Sequence, residues 1–288
     1  MTHGFCVRFA GIGFRFGAAF PFDAPPEFQP FLVDTPESDE RFTLSAIAEP
    51  LRFDAPLLRS ATLNAYRTPE GVAREYPYLR APDGCCVVTI LRSDGENSIH
   101  LPKNDLSRYQ SNFSLSVILG AEAILLRHDA LLLHSSAVRL GGRAVLFCGA
   151  PGAGKSTQAS LWERLLGAEI INGDRCVIAK RPDGFYGCGS PYCGSSGIRR
   201  PIDAPIAGIV LLKKSANNAL RRVPAGEAFR RLLRELTVNS YDSAFMDRCL
   251  ALLSLLVAQV PVYELSCRPD TEAVLLTKRE VLDCLESR

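Results

Sequence analysis

The segment over residues 149–156, Gly-Ala-Pro-Gly-Ala-Gly-Lys-Ser, constrains the fold of this chain more than any other stretch. It matches the phosphate-binding pattern Gly-x4-Gly-Lys-Ser/Thr at every position. Glycines in such a loop lack the Cβ that would hold the backbone away from a phosphate, so the N–H groups can surround the anion at the start of a helix. The pattern therefore indicates a nucleotide site between a strand and a helix.

Both flanks of this loop meet that requirement. The apolar residues 144–148 are typical of a buried strand, and residues 156–166 carry apolar side chains at helical spacing. Gly167 then provides a helix stop. The sequence therefore predicts a strand–loop–helix unit.

The loop side chains divide into those that surround phosphates and those that act on them. Lys155, which is also a predicted catalytic residue, would reach the β- and γ-phosphates, and the Ser156 hydroxyl would bind Mg²⁺. Thr157 could contact an inner phosphate. The predicted nucleotide-binding residues are Gly149, Ala150, Pro151, Gly152, Ala153, Gly154, Lys155, Ser156 and Thr157.

A strand predicted over residues 131–140 is followed by two glycines, at residues 141–142. Two glycines between strands predict a two-residue β-hairpin. Counting pairs back from that turn brings His134 opposite Gly149. An imidazole there could hold a phosphoryl oxygen or move a proton, since imidazole titrates near neutrality. The alternative is a structural histidine bonded to backbone.

Residues 168–174 are predicted to form a strand that ends in Asp174. A strand–helix–strand unit returns its second strand parallel to the first, so both carboxyl ends reach the same sheet edge. Asp174 could bind Mg²⁺ there, directly or through water, or take the proton from an attacking hydroxyl. The alternative is an ordinary acid in a strand-end turn.

The glycine-dense segment over residues 187–200 ends in Arg199 and Arg200. Such loops often carry function. Either guanidinium could stabilise the charge on a transferring phosphoryl group, and the alternative is a pair of surface charges. Cys188 and Cys193 in the same segment leave a zinc site as a minor alternative.

The remaining patterns predict an α/β protein with two domains. Residues 1–110 alternate apolar and polar side chains or contain many prolines, which predicts a small β-rich domain of unknown role. A helix over residues 106–126 is predicted to lead into a nucleotide-binding domain over residues 111–288. That domain is completed by helices over residues 225–238 and 245–260 and by further strands.

The charge balance and the apolar pattern exclude several classes of partner. The 288 residues include 33 basic and 31 acidic side chains, and the net charge of +2 provides no field for nucleic acid or an anionic membrane. A secretion signal and a long apolar run are both absent. The ten cysteines include no Cys-x-x-Cys pair. We expect a cytoplasmic protein with reduced cysteines, and a homo-oligomer stays open.

Together these motifs resemble the HPr kinase/phosphorylase family, within the group that shares the phosphoenolpyruvate carboxykinase fold. The resemblance rests on His134 fifteen residues before Gly149, the glycine hairpin, the phosphate loop and Asp174, and it covers roughly residues 130–270. It implies a P-loop core with a mixed sheet, ATP and Mg²⁺ as cofactors, and His134 and Asp174 at the site of phosphoryl transfer to a protein serine.

The chain departs from that family in two places. Gly173 precedes Asp174 where the family has two consecutive acids, and residues 189–194 replace a signature that contains glutamate and Arg-Gly. The chain is more similar to a divergent branch of HPr kinase-like proteins, some of which act in peptide-modification pathways.

The resulting hypothesis is a kinase that uses ATP and Mg²⁺ to phosphorylate a hydroxyl of a protein, peptide or small molecule. Ser156 and Asp174 would bind Mg²⁺, and Asp174, with His134, would activate the acceptor. Two alternatives stay open: a nucleotide-binding switch that hydrolyses ATP slowly without a phosphoryl acceptor, and a nucleotide sensor without catalytic activity.

Overall fold

The computed structural model describes residues 3–34, 37–110, 114–194 and 196–283, and the chain divides into two compact units. The first unit comprises Met1–Ile124 with Ser240–Ser243, and the second comprises Leu125–Asn239 with Ala244–Arg288. Each unit contains an eight-stranded sheet with parallel and antiparallel pairs, so the fold is mixed α/β.

The sheet of the first unit has eight strands, and its phenylalanines lie in the first three of them. Its strands are β1 (His3–Phe9), β2 (Ile12–Ala18), β3 (Glu40–Ile47), β4 (Pro56–Leu58), β5 (Asn64–Thr68), β6 (Gly71–Tyr76), β7 (Val87–Arg92) and β8 (Glu96–Pro102), in the spatial order β1-β2-β3-β8-β7-β6-β5-β4. Short 3₁₀ segments lie at Gln29–Phe31, Pro77–Leu79 and Lys103–Gln110.

The helix predicted over residues 106–126 is wrong as a single element. After the 3₁₀ segment come α1 (Ser114–Ile118) and α2 (Ala121–Arg127), and residues 111–113 lie outside the described part of the chain. Gly120 has a φ of +65°, a left-handed conformation that ends a helix and that glycine adopts without strain. A Cβ there would lie 2.9 Å from a methyl carbon of Leu91.

The second unit contains the phosphate loop. Its strands are β9 (Ala130–Leu140), β10 (Arg143–Cys148), β11 (Glu169–Asn172), β12 (Arg175–Arg181), β13 (Gly184–Cys188), β14 (Asp203–Lys214), β15 (Ala219–Arg222) and β16 (Val262–Cys267). Its helices are α3 (Lys155–Leu166), α4 (Ala225–Leu233), α5 (Ser243–Gln259) and α6 (Thr271–Lys278), followed by a π turn at Arg279–Asp283. Within the described residues, no helix has the length and apolarity needed to cross a membrane.

The predicted glycine hairpin is confirmed. Strands β9 and β10 pair from Leu140 with Arg143 to Ser135 with Cys148. Both turn glycines have positive φ, at +57° and +76°, as a type I′ turn requires. The pairing ends at Ser135 and Cys148, one step before the predicted pair of His134 with Gly149, and the N–H of His134 donates instead to the carbonyl oxygen of Glu235 at 2.8 Å.

Strands β11 and β12 lie along the other edge of β9. Both run antiparallel to it, as β10 does, so β11 and β10 point the same way, as predicted. Strand β11 ends at Asn172 instead of Asp174, and pairing with β9 resumes at Arg175. Asp174 therefore lies in an irregularity within a strand pairing, a feature that is frequent beside active sites.

The second sheet is covered on both faces. Alternate residues of β9 and β10 face opposite sides. Val145 and Phe147 belong to one apolar cluster with α3, where the Trp162 ring is centred 5.6 Å from that of Phe147. Leu133 and Leu146 belong to a second cluster with α4 and α5. The helix predicted over residues 225–238 ends five residues early, at Leu233.

Candidate functional site

The phosphate loop connects the end of β10 to the start of α3. Gly149, Gly152 and Gly154 have φ values of +148°, +77° and +104°, which residues with a Cβ rarely adopt. A Cβ on Gly149 would also lie 3.0 Å from that of Ala153 and 3.2 Å from the carbonyl oxygen of Leu212. The loop conformation thus depends on its glycines, as a phosphate cradle does.

The open end of α3 faces this loop. Gly154 is the N-cap residue and supplies no side-chain hydrogen bond to the first turn, which also contains no acidic residue. The N–H groups of that turn remain available to an anion, which the helix dipole favours. Ser156 and Thr157 are exposed there.

The Lys155 side chain extends back to the first residue of the phosphate loop. Its side chain is buried, and its ammonium donates a hydrogen bond of 2.7 Å to the carbonyl oxygen of Gly149. This hydrogen bond holds the Lys155 ammonium next to Gly149, at the mouth of the phosphate loop. A phosphate oxygen could replace that carbonyl, because a charged acceptor binds an ammonium more strongly than a neutral one.

Ser136 connects β9 to the first turn of α3, and sequence reasoning missed it. Its hydroxyl, completely buried, donates to the carbonyl oxygen of Lys155 at 2.8 Å. Residues two apart on a strand share a face, so His134 lies on the side of β9 that contacts α3. The short polar run over residues 134–136, between apolar residues of the same strand, was the available signal.

The structure brings His134 and Asp174 together. Nε2 of His134 lies 3.2 Å from Oδ1 of Asp174, and both side chains are about one-third exposed, at 32% and 28%. Nδ1 of the same ring lies 3.6 Å from Oε2 of Glu235, a residue that the sequence did not suggest. The ring thus faces two carboxylates.

Asn172 holds Asp174 in place. Its side-chain oxygen accepts hydrogen bonds from the backbone N–H groups of Asp174 at 2.9 Å and of Arg175 at 2.7 Å. Its amide nitrogen donates to the carbonyl oxygens of Tyr192 at 2.7 Å and Ser190 at 3.2 Å. Because this side chain is completely buried, it links the Asp174 turn to the glycine-dense segment.

Replacing Asn172 with alanine is therefore expected to destabilise the protein. The change leaves the backbone N–H and carbonyl groups that the Asn172 side chain binds without that partner. This lowers the free energy of unfolding by roughly 3 kcal/mol. We expect thermal denaturation to show a melting temperature lower by about 6–12 °C. Asn217→Ala, at an exposed asparagine, is the matched control and should leave it within about 2 °C. Equal melting temperatures for the two variants would contradict this role for Asn172.

The glycine-dense segment passes directly over Asp174. A Cβ on Gly194 would lie 2.9 Å from both Cβ and Cγ of Asp174. A Cβ on Gly173 would lie 2.0 Å from the hydroxyl of Ser196. Close backbone approach explains why these positions are glycines.

The two predicted arginines have other partners. Arg199 contacts the sulfur of Cys193 at 2.6 Å. Arg200 donates to the carbonyl oxygen of Ile170 at 3.1 Å and to Glu163 at 3.4 Å. Their role at the phosphoryl group stays a prediction.

Arg175 is the arginine found beside Asp174, and sequence reasoning missed it. Its Nε lies 3.6 Å from Oδ2 of Asp174, and its Nη1 donates to the Thr237 hydroxyl at 2.9 Å. Its position directly after Asp174 in the chain was the available signal.

A cleft of about 430 Å³ adjoins the phosphate loop. It is lined by Gly152, Ala153, Gly154, Thr157, Gln158, Lys214, Ser215, Cys267, Arg268 and Pro269. Strands β14 and β16 run parallel to β10, so their carboxyl ends meet at the edge that the loop occupies. Ligands commonly bind at that edge in α/β proteins.

No cluster of three or more His, Cys, Asp or Glu side chains that could hold a metal occurs within the described part of the chain. The minor zinc alternative at Cys188 and Cys193 has no such cluster to support it. The nine described cysteines are free thiols. Mg²⁺ would use few protein ligands in any case, since it keeps several waters and binds phosphate oxygens. Ser156 and Asp174 are the predicted ligands.

Comparison with known proteins adds a distant structural similarity. No protein-family model matches the sequence, and no curated protein matches it. The solved structure of the Hpr(Ser) kinase/phosphatase from Coxiella burnetii is similar over 54% of this chain and 94% of that chain, with 13% sequence identity and a TM-score of 0.30.

Proposed function

We propose that this protein is an ATP- and Mg²⁺-dependent kinase with an HPr kinase-like P-loop core, which transfers the γ-phosphoryl group to a hydroxyl of a protein, peptide or small molecule. The observation that supports it most is that a single strand, β9, connects the phosphate loop to the turn that carries Asp174. Strand β9 pairs on one edge with the strand that feeds the phosphate loop, and on the other with the strands that flank Asp174.

In this proposal the loop binds the triphosphate and the metal. The N–H groups of residues 149–157 surround the phosphates, and Lys155 leaves the Gly149 carbonyl to contact the β- and γ-phosphates. Ser156 and Asp174 would hold Mg²⁺, which would offset negative charge on the phosphate oxygens.

Asp174 then activates the acceptor. Its carboxylate takes the proton of the acceptor hydroxyl as that oxygen forms a bond to the γ-phosphorus and the bond to the ADP oxygen breaks. The Arg175 guanidinium, beside the same carboxylate, is placed to stabilise negative charge on the transferring group. Arg199 and Arg200 remain further candidates for that role.

The cleft beside the loop would hold the nucleoside. It adjoins the glycines of the loop, and the Cys267 and Pro269 side chains offer apolar surface to a base. Arg268 lies at the same cleft, and a guanidinium can stack on an aromatic base.

ATP is therefore expected to protect Cys267 from alkylation. Burial raises the pKa of this thiol, so labelling is slow at neutral pH and faster as the pH rises. With ATP at ten times its Kd, we expect labelling to slow about tenfold, measured by peptide mass spectrometry. Inorganic triphosphate, which has no nucleoside, should protect far less, and Cys6 is the internal control. Equal protection by both compounds would place the nucleoside elsewhere.

Transfer itself is tested with γ-labelled ATP. The purified protein is incubated with Mg²⁺ and with sets of serine-containing peptides, proteins and hydroxylated metabolites. The proposal expects label on an acceptor and loss of that label when Mg²⁺ is removed. Labelled inorganic phosphate without any labelled acceptor would favour the nucleotide-binding switch. That alternative is supported by the close approach of Gly194 to Asp174, which leaves limited room for an acceptor.

A further inference from the structure

We propose that Glu235 is a positioning residue that fixes the orientation of the His134 imidazole, with Nδ1 toward Glu235 and Nε2 toward Asp174. This inference rests on the proposed kinase function, in which Asp174 takes the acceptor proton. Its basis is the pair of carboxylates that face the two ring nitrogens, Asp174 at Nε2 and Glu235 at Nδ1.

The backbone fixes Glu235 at this position. The N–H of His134 donates to the carbonyl oxygen of Glu235 at 2.8 Å, and the N–H of Thr237 donates to that of Leu132 at 3.0 Å. Between them, Leu133 and Leu236 form an antiparallel bridge. The residues after α4 therefore run as a short strand along β9, and the position of Glu235 is set by that pairing.

The surroundings favour an interaction between Glu235 and the ring. The Glu235 side chain is 17% exposed, so its charge is less screened than that of a surface carboxylate. Its Oε2 lies 3.6 Å from Nδ1, which is ion-pair range and slightly longer than a hydrogen bond. Asp174 lies on the Nε2 side of the ring, and the Arg175 guanidinium lies 3.6 Å from the second oxygen of that carboxylate.

This arrangement orients the ring at the proposed transfer site. With Glu235 at Nδ1, the Nε2 edge of the ring faces Asp174 and so positions that carboxylate for the acceptor hydroxyl. Asp174 takes the acceptor proton while the acceptor oxygen bonds to the γ-phosphorus, and the electron pair of the broken phosphorus–oxygen bond leaves with ADP. Glu235 touches neither nucleotide nor acceptor in this scheme.

The test uses Glu235→Gln, which keeps the size of the side chain and removes its charge. Nitrogen NMR of the imidazole rings reports which ring nitrogen carries the proton, and His134→Asn assigns the His134 signal among the four histidines. Because the two carboxylates compete for the ring proton, Glu235→Gln should shift it toward Nε2 and Asp174→Asn toward Nδ1. Unchanged His134 signals in Glu235→Gln would overturn the inference.

Kinetics give a second readout. We expect kcat for phosphoryl transfer to fall about tenfold to a hundredfold in Glu235→Gln, with the Kd for ATP within about twofold of wild type. Glu235→Asp, which keeps the charge, should recover part of that loss. Glu169→Gln removes a carboxylate that is paired with Arg139 on the same sheet and is the matched control.

The outcomes separate this inference from the proposed function. Altered ring signals together with a lower kcat support both. If the ring signals change but the protein phosphorylates no acceptor, the result would support the interaction of Glu235 with His134 and contradict the proposed kinase function. A wild-type kcat in Glu235→Gln would overturn the positioning role and leave the kinase standing.

Discussion

Replacing Lys155 with alanine is expected to weaken ATP binding about a hundredfold. The ammonium at the mouth of the phosphate loop is the only charged side chain among residues 149–157. Charge-assisted contacts to the β- and γ-phosphates contribute roughly 3 kcal/mol, which corresponds to a factor of about 100 in Kd. AMP lacks both of those phosphates, so its affinity should change little. Isothermal titration with ATP and with AMP measures the two effects.

The matched control for this prediction is Lys180→Ala. Lys180 is an exposed lysine on β12, and its removal changes the net charge by the same amount. Its Kd for ATP should stay within about twofold of wild type, since exposed charges at a distance are screened by salt. A similar loss of ATP affinity in both variants would indicate that the affinity depends only on the net charge of the protein. An unchanged Kd for ATP in Lys155→Ala would contradict the assignment of this loop as the phosphate-binding site.

Asp174→Asn is expected to lower the rate of phosphoryl transfer about a thousandfold or more, while ATP affinity stays nearly intact. Asparagine keeps the size of the side chain and cannot accept the proton of the acceptor hydroxyl, a step that contributes about 10²–10⁴-fold. The same change removes a ligand charge from Mg²⁺, so the variant should need a higher Mg²⁺ concentration. Single-turnover transfer and ATP titration at several Mg²⁺ concentrations measure these effects.

Asp183→Asn is the corresponding control. Asp183 is exposed in the turn between β12 and β13, where it accepts a hydrogen bond from the Tyr186 hydroxyl at 2.5 Å. Wild-type transfer is expected in this variant. Wild-type transfer in Asp174→Asn as well would contradict the assignment of Asp174 as the base. A loss of ATP binding in Asp174→Asn would indicate a role in holding the nucleotide instead.

Local rules predicted the parts of the candidate site that depend on neighbouring residues. A two-glycine turn has few conformations, so the pairing between β9 and β10 could be counted from residues 141–142. The handedness and length of a strand–helix–strand unit likewise predicted the direction of β11. These two rules account for the predicted placement of His134 and Asp174 near the loop.

Long-range pairing accounts for what the sequence did not reveal. Residues 235–237 lie within a pattern with helical periodicity, but they pair with β9, about a hundred residues earlier, and this pairing replaces the last turn of the predicted helix. Glu235 therefore could not be associated with His134 from spacing alone. The cleft lining has the same origin, because it joins ends of strands that are far apart in the chain.

The sheet of the first unit was only partly predictable. Strand β3 pairs in parallel with both β2 and β8, and β8 lies more than fifty residues away from it in the chain. Parallel neighbours need a crossover connection, so no hairpin signal marks them. The stacked rings of Phe16 and Phe42, 5.2 Å apart, join two of these strands and have no local sequence signature.

Strand β9 has a consequence for how the chain can change over evolution. Insertions at the exposed glycine turn lengthen the far tip of the hairpin and leave the pairing of Ser135 with Cys148, next to His134 and the phosphate loop in sequence, unchanged at its base. A single residue gained or lost inside β9 would instead rotate the imidazole to the opposite face of the sheet. Length variation among homologues should therefore be tolerated at the tip and selected against along the strand.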